Sequence, residues 1–223
     1  MTFDDDVTVL AAACRAQLGP EDTWTPPVGY PDSLALCVVD AVWSMGVRYG
    51  GVQRVVQRYL TARSAVGADG RHDGARDLLD QADRFGGAEA FATTMDNRSR
   101  TSTRSGILKA DAVIRCARAL VAAGIESAAD LRSAPHAKRA AAETGWREVP
   151  GQRSGISWRY VLLLAGVPEV KPDRMITRFV AKATGSAAAP DRAAALVTSV
   201  AHHLEVDVRG LDHRIWRFES GRG

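Results

Sequence analysis

The segment Val149–Asp173, VPGQRSGISWRYVLLLAGVPEVKPD, contains two helix-breaking turns close together. A glycine turn at Gly151 leads into a short apolar helix over Ser157–Ala165, and a Gly/Pro pair then ends that helix. Pro172 fixes the entry into the next helix and places Asp173 at or beside its N-cap. The segment therefore predicts two helices joined by a tight turn, followed by a carboxylate held at a helix terminus.

The turn at Gly151 also predicts an anion site. Glycine gives the backbone freedom there, so amide groups at the start of the following helix point outward, and such amides bind anions, including nucleic-acid phosphate. Each residue alone has an ordinary structural explanation: Asp173 caps a helix, Gly151 forms a turn and Trp158 packs in a core. Their combination in one segment is what indicates a functional site.

The remaining chain shows helical periodicity and no convincing alternating strand. Apolar residues repeat at helix spacing over Val7–Leu18, behind an acidic first turn that suits the helix dipole. Leu34–Met45 is apolar nearly all round and predicts a helix in the middle of a bundle, whereas Leu108–Ala123 predicts an amphipathic helix. About ten short helices with brief loops predict an all-α, globular fold without a coiled coil.

The composition is that of an ordinary soluble protein. The 223 residues are 46% hydrophobic and 25% charged, enough for one domain or two small ones. The sequence shows no secretory signal and no apolar run of the roughly 20 residues that a membrane span needs, so we expect a cytoplasmic protein. The net charge of +3 says little about partners. The bias toward arginine fits forked phosphate contacts, but a GC-rich genome produces the same bias.

Metal ligation is not predicted. Cys14, Cys37 and Cys116 are widely spaced within apolar helical patterns, which predicts reduced, buried thiols. His202 and His203 are adjacent in a helical segment and face different directions, so they cannot easily share one metal ion.

The segment DNRSRTSTRSG is the most polar and basic loop, with Arg98, Arg100 and Arg104. It fits a solvated surface turn and a phosphate-contacting loop about equally well. Both interpretations therefore stay open.

The segment from Pro150 to Asp173 resembles the helix-hairpin-helix DNA glycosylase superfamily, the group that includes endonuclease III and the adenine-mismatch glycosylases. The resemblance rests on Pro150-Gly151, on Ala165-Gly166-Val167-Pro168 and on Asp173 with Arg178 downstream, and the spacing matches without a gap. Weaker similarity extends over most of the chain through LALCVVDAVWSMGVRYGGV, GILKADAVIRCARALVAAGI and LDHRIWRFESG. The resemblance implies an all-α, two-lobed fold, with residues 30–168 in a central lobe and residues 1–29 and 169–223 in the other.

The resemblance also implies roles for individual residues. Asp173 corresponds to the catalytic carboxylate, which stabilises the positive sugar as the glycosidic bond breaks and orients the attacking water. The residues that correspond to the phosphate contacts of the hairpin are Gly151, Arg153, Ser154 and Gly155. Arg48 is a further candidate, either for the base pocket or for a phosphate contact. A base extruded from the duplex would be held by aromatic side chains. Those nearest the matched segments are Trp43, Tyr49 and Trp158, for which core packing is the alternative role.

Departures from the family's pattern narrow the predicted activity. Gly155 stands where backbone-cleaving members carry a lysine, so a Schiff-base lyase step at that site is not expected. Arg153 replaces the second hairpin glycine and offers a guanidinium for direct phosphate contact. The family holds a monovalent cation at this hairpin, and the replacement of glycine by Arg153 makes that cation an open expectation here. Gly46 stands where endonuclease III has a gap-filling glutamine, and the iron–sulfur cysteines are missing.

The predicted function is removal of a damaged, mismatched or modified base by a monofunctional DNA N-glycosylase. The expected partner is DNA, with association with the nucleoid when bound, and no cofactor beyond a monovalent cation is expected. A non-catalytic DNA-binding protein on the same scaffold is the alternative, and a role outside nucleic acids is a third. The residues do not specify the base, the preference for duplex or single strand, or the oligomeric state.

Overall fold

The computed structural model describes residues 2–46 and 49–221, and this part of the chain is all-helical, as predicted. An isolated bridge between Arg100 and Leu108 is the one element of β type among the described residues. None of the described helices is both long and apolar enough to cross a membrane. The helices are α1 (Phe3–Gln17), α2 (Leu34–Trp43), α3 (Tyr49–Ser64), α4 (Ala75–Phe85), α5 (Ala88–Thr94), α6 (Lys109–Ala122), α7 (Ala128–Ser133), α8 (His136–Glu148), α9 (Ile156–Leu164), α10 (Arg174–Thr184), α11 (Pro190–His203) and α12 (Val208–Glu219).

The chain divides into two compact units. The central unit is Gly29–Val167, and the terminal unit consists of Met1–Val28 together with Pro168–Gly223. These boundaries lie one residue from the limits that the resemblance implies. Each unit has a hydrophobic core of its own.

The core of the central unit forms around α2, which is buried over its whole length. Its sequence is apolar apart from Asp40, and a helix without a polar face must be covered on all sides. Helices α3, α6 and α9 pack against it. Ser33 caps the helix: its Oγ accepts a hydrogen bond from Leu36 N at 3.3 Å and donates to the carbonyl oxygen of Gly70 at 2.9 Å. The cap therefore also ties α2 to a distant turn.

A buried ion pair lies in the same unit. Arg63 Nε is 2.6 Å from Asp73 Oδ2, and both side chains are less than a tenth exposed. Arg63 also donates to Gln81 Oε1 at 3.1 Å, and the Tyr59 hydroxyl donates to Asp73 Oδ2 at 2.7 Å. Desolvation and the hydrogen bond to Asp73 raise the pKa of Tyr59, so the phenol stays protonated. Arg63 Nη2 also donates to Asp73 Oδ1 at 2.8 Å, so these hydrogen bonds satisfy the buried pair in part, while Arg63 Nε makes the ion contact without a well-aligned hydrogen bond.

The terminal unit is built from α1, α10, α11 and α12, which pack against one another. Thr2 and Asp5 form a capping box at the start of α1. The apolar faces of the four helices meet around Phe179, Val197 and Leu211, all of which are 1% exposed or less. Cys14 is buried in this core, and Cys37 and Cys116 are buried in the central unit; all three are free thiols, as predicted.

Candidate functional site

The turn between α8 and α9 is shaped by close packing at Gly151. This residue has a φ of +90°, and a Cβ built on it would lie 2.5 Å from the Cβ of Thr101. Only glycine fits both conditions, because a side chain would be strained by the backbone angle and would overlap Thr101. The basic loop that contains Thr101 therefore packs directly onto this turn.

A buried hydrogen-bond chain holds the turn from inside. Trp146 Nε1 donates to Ser157 Oγ at 2.9 Å, and the Ser157 hydroxyl donates to Gln152 Oε1. Gln152 and Ser157 are each 2% exposed or less. This network is not among the features predicted from the sequence. Its one local sign is a glutamine inside the glycine turn, where an exposed residue is usual.

The exposed groups of the turn are Arg153 and Ser154. The Arg153 carbonyl oxygen accepts from Arg147 Nε at 3.0 Å, which ties the backbone of the turn to α8. Gly155 is different, because it is buried and its amide donates to the carbonyl oxygen of Gln152 at 3.0 Å. That internal hydrogen bond closes the turn, so we do not retain the Gly155 amide as a phosphate donor.

The tryptophans assigned to a base pocket lie inside the central core. Trp43 is 0% exposed, and its ring makes an edge contact with Phe91 at 5.7 Å between centroids. Trp158 is 2% exposed and packs against Trp146, also at 5.7 Å. A base can stack only on a ring face that it can reach, so we correct the assignment of Trp43 and Trp158 to core packing. Arg48 and the side chain of Tyr49 lie outside the described residues.

Two of the three arginines in the basic loop have partners within the protein, and the third is exposed at the tip of the loop. Arg98 pairs with Glu89, and Arg100 donates to the carbonyl oxygen of Gly106 at 2.8 Å, so both guanidinium groups have partners within the protein. Arg104 is exposed at the tip of the loop. Of the three, Arg104 is therefore the best placed to meet a phosphate.

Asp173 is the N-cap of α10, as predicted. Its Oδ1 accepts from the backbone amides of Met175 at 2.8 Å and Ile176 at 3.3 Å. Its Oδ2 lies 3.4 Å from Lys171 Nζ, and the Asp173 side chain is 21% exposed. The backbone amides of α10 thus hold one carboxylate oxygen of Asp173, while the side chain remains partly accessible to solvent.

A second carboxyl group lies close to Asp173. Asp212, on α12, is 4% exposed and accepts a hydrogen bond from the backbone amide of Lys171 at 2.9 Å. Burial raises the pKa of Asp212 to about 7, and the negative charges of Asp173 and Glu169 add to the rise, whereas the Lys171 ammonium and amide oppose it. Asp212 therefore titrates near neutral pH and responds to the charge of Asp173. Asp212 is not among the residues predicted from the sequence, although it lies in the weakly matched segment LDHRIWRFESG.

Arg178, the basic residue of the resemblance downstream of Asp173, has a structural partner. Its guanidinium donates to the side chain and the carbonyl oxygen of Glu219, and Lys182 Nζ donates to the same carboxylate at 3.0 Å. The Glu219 side chain is only 2% exposed. These contacts join α10 to the end of α12 and so keep the helix that Asp173 caps in place.

The arrangement around Asp173 can do two things chemically. A carboxylate held by helix amides has little freedom to reorient, so it can stabilise a positive charge that develops in front of its exposed oxygen. The same oxygen can accept a hydrogen bond from water and orient it for attack. The Lys171 ammonium lies 3.4 Å from Asp173 Oδ2 and places an opposite charge beside the carboxylate.

Residues 8–220 match a family described as a domain of unknown function (DUF8548). Comparison with curated proteins and with solved structures found no match.

Proposed function

The chain belongs to the DUF8548 family, and we propose that it is a monofunctional DNA N-glycosylase that uses Asp173 as its catalytic carboxylate. The reaction is hydrolytic removal of a damaged, mismatched or modified base. The helix-hairpin-helix motif of this proposal is α8, the turn at Gly151 and α9. The observation that carries the proposal is the position of Asp173. Its carboxylate caps α10, is partly exposed and follows the second Gly/Pro break.

In the proposed reaction, the bond between the sugar C1′ and the base nitrogen breaks, and its electron pair leaves with the base. Positive charge then develops on the sugar, where the Asp173 carboxylate offsets it. Water forms the new bond to C1′ and loses a proton, while the departing base gains one. The products are a free base and an abasic site in an uncut strand.

The hairpin supports the proposal through the groups it leaves exposed. Arg153 offers a guanidinium that can donate two hydrogen bonds, and Ser154 offers a hydroxyl. The turn that carries both residues is held by the buried hydrogen bonds that run from Trp146 through Ser157 to Gln152. A fixed turn with charge-assisted donors suits a phosphate that positions a strand without reading its bases.

The test is incubation of the purified protein with duplex and single-stranded oligonucleotides that carry a panel of modified bases, followed by alkali to cut abasic sites. We expect alkali-dependent cleavage with the wild type and loss of at least about a hundredfold in rate with Asp173→Asn, which retains a capping side chain. Asp207→Asn is the matched control, because Asp207 caps α12 in the same way, with Oδ1 2.7 Å from the amide of Gly210.

Each outcome bears on the proposal. Equal losses in Asp173→Asn and Asp207→Asn would mean that helix capping, not chemistry, explains the effect. Salt-dependent DNA binding without abasic sites across the panel would favour the non-catalytic DNA-binding protein. Absence of DNA affinity at low salt would leave only a role outside nucleic acids. Cleavage without alkali would contradict the monofunctional assignment.

A further inference from the structure

The terminal unit contains a small polar pocket on one side of α12. Its cavity volume is about 170 Å³, and its lining residues are Thr23, Thr25, His213, Arg214 and Arg217. His213 and Arg217 are one helical turn apart, so they lie on the same side of α12. The two threonines come from the connection that follows α1. The pocket thus joins two segments that are far apart in sequence.

The pocket walls are held by contacts to the backbone. Arg214 Nε donates to the carbonyl oxygen of Leu18 at 2.6 Å, which fixes the guanidinium plane. His213 Nδ1 lies 3.1 Å from the carbonyl oxygen of Thr25, and the His213 ring stacks on Trp216 at 6.5 Å between centroids. These contacts set the orientation of two of the polar groups before any ligand arrives.

The charges around the pocket are of one sign. Two guanidinium groups line it, and its lining includes no carboxylate among the described residues. Desolvation lowers the pKa of His213, and the positive charges of Arg217 and Lys171 lower it further, whereas the hydrogen bond to Thr25 opposes the shift. Two guanidinium groups that line one pocket make it favourable for an anion.

We propose that the pocket formed by Thr23, Thr25, His213, Arg214 and Arg217 is a binding site for a phosphate group. Guanidinium groups form forked hydrogen bonds to phosphate oxygens, and threonine hydroxyls can donate to the remaining ones. The pocket is large enough for a phosphate group but small for a whole nucleotide, whose pocket would be on the order of 300 Å³ or more.

The phosphate can come from two sources with the same chemistry: a nucleic-acid backbone or a free phosphate compound. The inference does not depend on glycosylase chemistry, because none of the pocket residues is assigned a role in base removal. Loss of activity in Asp173→Asn would therefore leave the pocket intact, and the two proposals can fail separately.

The experiment is a titration of the full chain with inorganic phosphate, followed by NMR of the His213 ring and the amides of Thr23 and Thr25. Ionic strength is held constant with chloride. We expect saturable shifts in the wild type and binding about tenfold weaker in Arg217→Gln, because one charge-assisted contact is removed. Thr25→Val, which replaces an exposed hydroxyl, should weaken binding by a smaller factor. Arg118→Gln, which removes an exposed arginine from α6 of the central unit, is the matched control and should bind as the wild type does.

A second titration with an unmodified duplex oligonucleotide distinguishes the sources. Displacement of bound phosphate by the duplex identifies a backbone phosphate as the ligand, and simultaneous binding of both identifies a free phosphate compound. The proposal is overturned by shifts that chloride reproduces, by equal weakening in Arg118→Gln and Arg217→Gln, or by the lack of saturable binding at millimolar phosphate.

Discussion

Asp212 Oδ1 accepts a hydrogen bond from the backbone amide of Lys171 at 2.9 Å, across a separation of 41 residues. This contact joins the middle of α12 to the segment that leads into α10. It places a buried carboxyl group with a pKa of about 7 beside the backbone of Lys171, two residues before Asp173. The terminal helix is therefore part of the electrostatic environment of Asp173.

The pKa of Asp212 predicts a pH-dependent stability. In the folded chain this pKa lies at about 7, above the ordinary value of 3.8, so the folded state binds the proton more tightly than the unfolded state. This stabilisation is fully present below pH 3.8 and is lost as the pH rises to about 7. We expect the free energy of unfolding of the wild type to fall over this window, relative to Asp212→Asn, by about 4 kcal/mol at most. Urea unfolding at a series of pH values measures the difference; a constant difference would contradict the prediction.

The electrostatic coupling around Asp212 can be measured directly. Asp173→Asn removes a negative neighbour and should lower the pKa of Asp212, whereas Lys171→Met removes a positive neighbour and should raise it. A carbon NMR titration of the Asp212 carboxyl group measures the change in its pKa in each variant. Shifts in the same direction in the two variants would show that a change in burial, not charge, is responsible.

Gly151→Ala should destabilise the central unit through two separable effects. The left-handed backbone costs a non-glycine residue roughly 1 kcal/mol, and overlap with Thr101 adds to that cost. Gly185→Ala isolates the first effect, because Gly185 has a φ of +71° and open space around its Cβ position. Chemical unfolding should therefore show a larger loss for Gly151→Ala. Similar losses in the two variants would mean that the contact with Thr101 relaxes without cost.

Arg63→Met should be among the most destabilising substitutions in the central unit. It leaves the buried Asp73 carboxylate without its charge partner, which costs about 3 to 5 kcal/mol in comparable sites. Arg15→Met is the control, because Arg15 pairs with Glu21 at 2.7 Å but is 59% exposed. We expect that change to cost less than about 1 kcal/mol. Comparable losses in thermal or urea unfolding would show that the Arg63 pair is not specially dependent on burial.

The buried ammonium group of Lys109 should make the protein more stable as the pH becomes alkaline. Its Nζ is buried and donates to the carbonyl oxygens of Trp43 at 2.9 Å and Met45 at 2.6 Å, at the end of α2. Burial lowers the pKa of Lys109 from 10.5 to about 8, so the unfolded state binds more protons between these values. Stability should rise through that window by roughly 3 kcal/mol at most, relative to Lys109→Met. Urea unfolding from neutral pH to pH 10 would show parallel curves for the two proteins if the prediction is wrong.

The sequence predicted those helical features that follow from local pattern. The all-α class, the buried helix at Leu34, the amphipathic helix after Leu108 and the cap at Asp173 all follow from residue spacing or from residues that begin and end helices. Whether an aromatic side chain is exposed or buried could not be predicted from the sequence in the same way. Trp43 and Trp158 carry no local mark that separates a pocket ring from a core ring, and only the packing of α2, α6, α8 and α9 places them inside.

By itself, the sequence determined where this chain turns and which carboxylate stands at the head of a helix, because capping and glycine turns depend on a few neighbouring residues. The tertiary structure alone decided that Asp212 meets Lys171, that Lys109 is buried and that two arginines and a histidine share a pocket with Thr23 and Thr25. Those relationships join segments far apart in the chain. Burial shifts the pKa values of Asp212, Lys109 and His213, and no local pattern specifies that burial.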